Sequence, residues 1–274
     1  MHDPAGASVA GEPGRMAIAD LNVGDRLRLV VGVGCIVLLA WTYLFLLARD
    51  TGDASMAQMA AMSQMAAWRP VDFALMFLMW VVMMVAMMLP SALPMILLYA
   101  AVVRRLSPTL PTGALTGAFV SGYVIAWTAF SVAATALQWA LEHIALLSPA
   151  MVSSSTLLGG LLLVVAGVYQ WTPAKDVCLK HCQAPLVFIT THWRPGVGGA
   201  LRMGVAHGLF CIGCCWAIMG LLFVGGVMNL LWVAAIAVFV LVEKAAPFGR
   251  ATGRVAGALL VLAGAYVLFE GQLA

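Results

Sequence analysis

The chain has 274 residues, of which 64% are hydrophobic and only 9% charged, with a formal net charge of +3 and a mean hydropathy of +1.02. A soluble domain carries about 25% charged residues, so this composition cannot clothe itself in solvated surface, and its basic residues form no stripe of the kind that grips nucleic acid. What remains is an all-α, polytopic membrane helix bundle, because lipid offers the backbone no hydrogen-bond partners and helices satisfy their own.

In chain order, residues 1–25 are rich in Gly, Ala and Asp and read as a disordered cytoplasmic head. No cleavable leader is expected there, since the first apolar run has the length of a retained anchor. Residues 26–274 read as a single transmembrane domain of about seven spans, near 27–47, 71–103, 112–141, 154–171, 200–223, 228–242 and 255–269. The second span carries Pro90 and Pro94 in "MMLPSALPM", each of which removes a backbone donor and is expected to kink or break the helix. Small residues at helical spacing, such as Gly113, Gly117 and Ser121 or Gly253 and Gly257, are expected to let helices approach closely. With the N-terminus in the cytoplasm, inside segments hold Arg15, Arg26, Arg28, Arg104, Arg105, Lys175, Lys180, Arg194, Arg202, Lys244, Arg250 and Arg254. Only Arg49 and Arg69 fall outside. Such an excess of inner Lys and Arg supports this orientation and an odd number of spans.

Chemistry concentrates in three stretches. In "HGLFCIGCC" of the fifth span, His207, Cys211, Cys214 and Cys215 fall within an arc of about 100° on a helix turning 100° per residue. One ion cannot touch all four on a straight helix, but pairs at i, i+4 share a face. Upstream, "VCLKHCQAP" holds Cys178, His181 and Cys182, with the two thiols again at i, i+4, and His192 follows in "PLVFITTHW". Thiolates and imidazoles are the ligands of Zn²⁺ and Cu(I), and two residues from each cluster would complete a four-ligand site. Cys35, alone in the first span, reads as a small hydrophobe.

The third stretch is methionine. Ten of the 17 methionines lie between Met56 and Met88. Met56, Met59, Met62 and Met65 recur at every third position outside the second span, and within it Met76, Met79, Met83 and Met87 form a stripe about 80° wide on a helix, flanked by Met84 and Met88. Thioethers favour Cu(I) among biological metals, and methionine also fills gaps in helix packing. The thioether stripe would line the outer part of a path whose inner half is lined by the His/Cys face. At the inner end of the sixth span, the adjacent Glu243 and Lys244 of "VEKAAPFG" point apart on a helix. Lys244 is expected to snorkel to the interface, and Glu243 to be solvated or to support a ligand.

"MMVAMMLPSALPM", "YQWTPAKDVCLKHCQAP", "GVAHGLFCIGCCWAIMGLL" and "EKAAPFG" together resemble the motifs of an uncharacterised bacterial family of predicted metal-binding integral membrane proteins. The resemblance covers most of the chain from about Val71 onward and implies a multi-pass protein of the bacterial inner membrane.

The sequence therefore points to a protein, not an enzyme, that binds a soft transition metal, Cu(I) before Zn, for transport or for metallation of a soluble or membrane partner protein. There is no Walker A motif and so no nucleotide. Two other functions fit the same residues: a membrane thiol–disulfide oxidoreductase working with quinone, and a non-catalytic subunit of a membrane complex.

Overall fold

The computed structural model describes residues 21–53, 69–106, 110–144, 146–147, 153 and 155–273. Residues 1–20 of the expected head and the external group Met56, Met59, Met62 and Met65 lie outside the described residues. The described residues form ten helices and one isolated bridge between Leu147 and Ser153. In chain order these are α1 (Val23–Asp53), α2 (Pro70–Leu106), α3 (Thr112–His143), α4 (Thr156–Tyr169), α5 (Pro173–Gln183), α6 (Pro185–His192), α7 (Gly196–Gly220), α8 (Leu222–Gly225), α9 (Leu230–Ala245) and α10 (Gly249–Leu273).

Among the described residues, five segments are long and apolar enough to cross a membrane: Val23–Arg49, Pro70–Leu106, Thr112–His143, Gly196–Gly225 and Gly249–Glu270. A sixth arises if α4 and α5, bent by 65° at their junction, count as one broken span. All seven expected spans are helical, with shifted ends. α1 begins at Val23, inside the segment expected to be disordered, and α9 is 16 residues long.

The Pro90–Pro94 stretch does not break α2, which runs as one helix from Pro70 to Leu106. Side chains supply hydrogen bonds around it: the Met88 carbonyl accepts from the Ser91 hydroxyl at 2.8 Å and from the Tyr123 hydroxyl at 3.1 Å.

α7 is the most buried of the long helices, and α1 and α10 the least. α7 packs on α3 through glycine. A Cβ at Gly122 would strike the Leu201 carbonyl, and one at Gly204 would strike the Phe119 carbonyl. α10 packs on α4 in the same way, with Gly257 against the Gly167 carbonyl and Gly264 against the Gly160 carbonyl. Close backbone approach of this kind needs residues without a side chain. Gly257 thus does the packing expected of it, Gly253 instead faces the side chains of Glu243 and Gln170, and Gly113 and Gly117 have nothing within 4 Å, the contact on α3 being made by Gly122.

The segment between α4 and α7 is the part that places the site. Thr172 caps α5 by accepting the Lys175 N–H, Pro173 sits in its first turn, Asp176 is in that turn and Lys180 and His181 are in the last. These are the signals of an autonomous short helix. Pro185 then starts α6, and Gly196, at φ 76°, turns the chain into α7.

Candidate metal centre

α5 lies along α7, so the two cysteine clusters meet. Cys182 Sγ stands 3.9 Å from Cys214 Sγ, about one helical turn along α7 from Cys211. A Cβ on Gly213 would fall 2.6 Å from Cys178 Sγ, so Cys178 rests on the bare backbone of α7 between the two cysteine turns. The meeting point lies well inside α7: Cys211 is about 22 Å from its start at 1.5 Å per residue.

Within α7, Cys214 and Cys215 both donate to the Cys211 carbonyl, at 3.1 and 2.9 Å. All three thiols are buried, at 2% exposure or less, and every described cysteine is free. Cys35 is exposed on α1, away from the cluster.

Charged and polar groups converge on Cys211. Lys244 Nζ donates to its sulfur at 2.8 Å and to Ser91 Oγ at 3.3 Å. The Tyr123 hydroxyl lies 3.0 Å from the same sulfur while reaching the Met88 carbonyl. The expected snorkelling of Lys244 is therefore wrong: its side chain turns inward because a sulfur, a serine and a tyrosine wait there. Glu243 is not solvated either. It is fully buried and ion-paired to Lys175 at 2.6 Å, a contact of charges rather than an aligned hydrogen bond. Lys175 also bonds Gln170, and Gln183 donates to the Glu243 carbonyl at 2.8 Å. One dipeptide at the end of α9 thus grips both walls of the site: Glu243 holds α5, and Lys244 holds α7 and α2.

The expected histidines are placed differently. His181 stacks on Phe210, with centroids 4.1 Å apart and rings 3° from parallel, and meets His192 edge-on at 6.1 Å. Its Nδ1 lies 2.9 Å from the Val177 carbonyl. His207 is buried among Phe119, Tyr123 and Phe188, and its Nδ1 has no hydrogen-bond partner. Tyr123 is shared, touching the His207 ring on one side and the Cys211 sulfur on the other. Beyond His192, a cavity of about 270 Å³ is lined also by Arg194, Arg202, Met203 and Ala206, and the Met203 sulfur already accepts the Arg194 N–H.

The methionine stripe is buried as a packed face. Met79, Met83 and Met87 are each 1% exposed, and Met84 and Met88 are fully buried. Only Met76, half-buried at the far end, meets a polar partner, the Gln138 amide at 3.7 Å; Gln138 in turn accepts from Trp80 at 2.7 Å and donates to Glu142 at 2.8 Å. Among the described residues no three His, Cys, Asp or Glu side chains already surround an ion position. The thiols approach in pairs, two of them turned toward a carbonyl.

Residues 77–267 match the family model described as PpoB2, copper chaperone. The chain belongs to this copper chaperone family. Membership ties it to copper and, as a chaperone, to a protein that receives the metal. The matched residues include every Cys and His of the two clusters and Met79, Met83 and Met87, and stop one residue short of Met76. No curated protein and no solved structure is significantly similar. The sequence resemblance to a metal-related family is thereby narrowed to copper.

The sequence did not bring Lys175 or Lys244 to the candidate site, and it left Glu243 between solvation and support of a ligand. Lys175 and Lys244 read as ordinary inner-face charges. The available signal was the Glu–Lys pair itself: adjacent charges point about 100° apart around a helix, so in an apolar environment each needs its own buried partner.

Proposed function

We propose that the chain is a multi-pass protein of the bacterial inner membrane that takes up Cu(I) on Cys182, Cys211 and Cys214 and hands it to a partner protein, without catalysing a reaction. The observation that carries this reading is the contact of Cys182 with Cys214 across α5 and α7, about one helical turn from Cys211. Thiolates are soft donors that select Cu(I). Copper loading needs Cys214 to swing from the Cys211 carbonyl toward Cys182, a rotamer change within a site whose backbone is already in place. Cys178 and Cys215 stand next to this trio as exchange ligands, and His181 and His207 line its approach.

The spans are taken as seven, with α9 and the α4–α5 pair both crossing and the N-terminus in the cytoplasm. Asp25 and Arg104, 2.9 Å apart, put the start of α1 and the end of α2 at one face, as that topology requires. Met79, Met83 and Met87 run along α2 away from the Met88–Tyr123–Cys211 contact. They form a second, weaker run of soft donors toward the opposite face.

The test is metal content after purification in detergent under reducing conditions. Stoichiometric copper in the parent, lost in Cys182→Ser, supports the reading. Zinc alone would leave an ordinary thiolate zinc site. A Cys182–Cys214 disulfide formed by quinone, with no copper bound, would replace it with a thiol–disulfide role. Reporters fused to each terminus test the topology, with a cytoplasmic C-terminus contradicting seven spans.

A further inference from the structure

We infer that Lys244 is a fixed counter-charge that makes the thiol cluster select monovalent over divalent metal ions; this rests on the copper reading above and deepens it. Lys244 is 9% exposed, and its ammonium touches Cys211 Sγ at 2.8 Å and Ser91 Oγ at 3.3 Å. The neighbouring carboxylate does not neutralise it, because Glu243 points about 100° away around α9 and is ion-paired to Lys175 at 2.6 Å. Lys175 and Glu243 cancel. One positive charge is left over, and the sulfurs are what it faces.

An uncompensated charge is costly in a buried site. A single thiolate beside Lys244 makes the empty site neutral. Entry of a monovalent ion then needs only one more. An S–H bond breaks, a metal–sulfur bond forms, the proton leaves to solvent, and no electron is transferred. The product, two thiolates with one ammonium and one monovalent ion, is again neutral. A divalent ion must recruit a third thiolate from the same cluster, and it meets twice the Coulomb repulsion from the ammonium.

The experiment compares Ag(I), a soft monovalent ion that does not change oxidation state, with Zn(II). Affinities are measured by chelator competition on the detergent-solubilised full chain. The parent prefers Ag(I). Lys244→Gln, which removes the charge, shifts the Ag(I)/Zn(II) ratio toward Zn(II) by about tenfold or more, because the ammonium acts at close range in a low-dielectric site. Lys244→Arg keeps the charge and keeps the parent ratio. Lys244→Met is the second neutral variant. Its added thioether by itself favours Ag(I), so a shift toward Zn(II) there comes from the lost charge. The inference is overturned if the neutral variants keep the parent ratio, or if Lys244→Arg shifts it as far as they do. A parent that binds neither Ag(I) nor Cu(I) overturns the copper reading itself, a result distinct from a binding parent whose ratio ignores Lys244.

Discussion

The cysteine cluster on α7 and the methionine stripe on α2 are both buried, sulfur-rich and helical, yet their surroundings differ. Cys211 is met by an ammonium and a tyrosine hydroxyl from other helices, and its neighbour Cys214 by a thiol of α5. Met79, Met83 and Met87 sit in the apolar core, and polar contact appears only at Met76. Sulfur alone therefore does not mark a metal site in an apolar bundle. What separates the two regions is buried charge, which is held only where something needs it.

That contrast orders the expected effects of substitution. Cys182→Ser, which removes the one thiol that α5 brings to Cys214, should abolish most copper binding while leaving the fold intact. Metal analysis of the purified variant checks this, and parent-like copper would erase the distinction between the two regions. Next comes the clamp. Glu243→Gln leaves the Lys175 ammonium buried without its partner, which should destabilise the protein by about 3–5 kcal/mol. A lowered unfolding midpoint in detergent would show it, and an unchanged midpoint would mean that α5 is held by packing alone. Tyr123→Phe removes the hydroxyl shared by the Met88 carbonyl and the Cys211 sulfur. It should cost about 1–3 kcal/mol and weaken copper binding less than any thiol substitution, measured by the same two assays. The smallest effect is expected at Met83→Leu, a swap that keeps volume and costs below about 1.5 kcal/mol. It should leave copper stoichiometry unchanged and slow only delivery of copper in vesicles. Loss of bound copper in Met83→Leu would put the thioethers on a par with the thiols.

Sequence legibility follows the same division. Long apolar runs announced α1, α2, α3, α7 and α10, since length and hydropathy are local properties. The cysteine faces were legible because helical spacing is fixed. What spacing does not contain is which face meets which. The lodging of α5 beside Cys211 and Cys214, rather than at the first turn of α7, comes from tertiary contacts: Cys178 against Gly213, and Gln183 on the Glu243 carbonyl. The same gap explains Lys244. A lysine at a helix end normally snorkels, and only the arrival of Ser91 and Cys211 from other helices turns it inward. It also explains the glycines, where Gly122 rather than Gly113 or Gly117 meets a neighbour. Two of the inner basic residues counted for orientation, Lys175 and Lys244, are buried, so the inner excess rests on the other ten.

X-ray absorption of the Cu(I)-loaded protein, read for the parent and for Cys182→Ser side by side, addresses the thiol assignment directly. A sulfur-only first shell in the parent that collapses or loses occupancy in the variant is the predicted result. A shell dominated by nitrogen, or a sulfur shell identical in both proteins, would place the copper away from the α5–α7 contact and contradict the assignment.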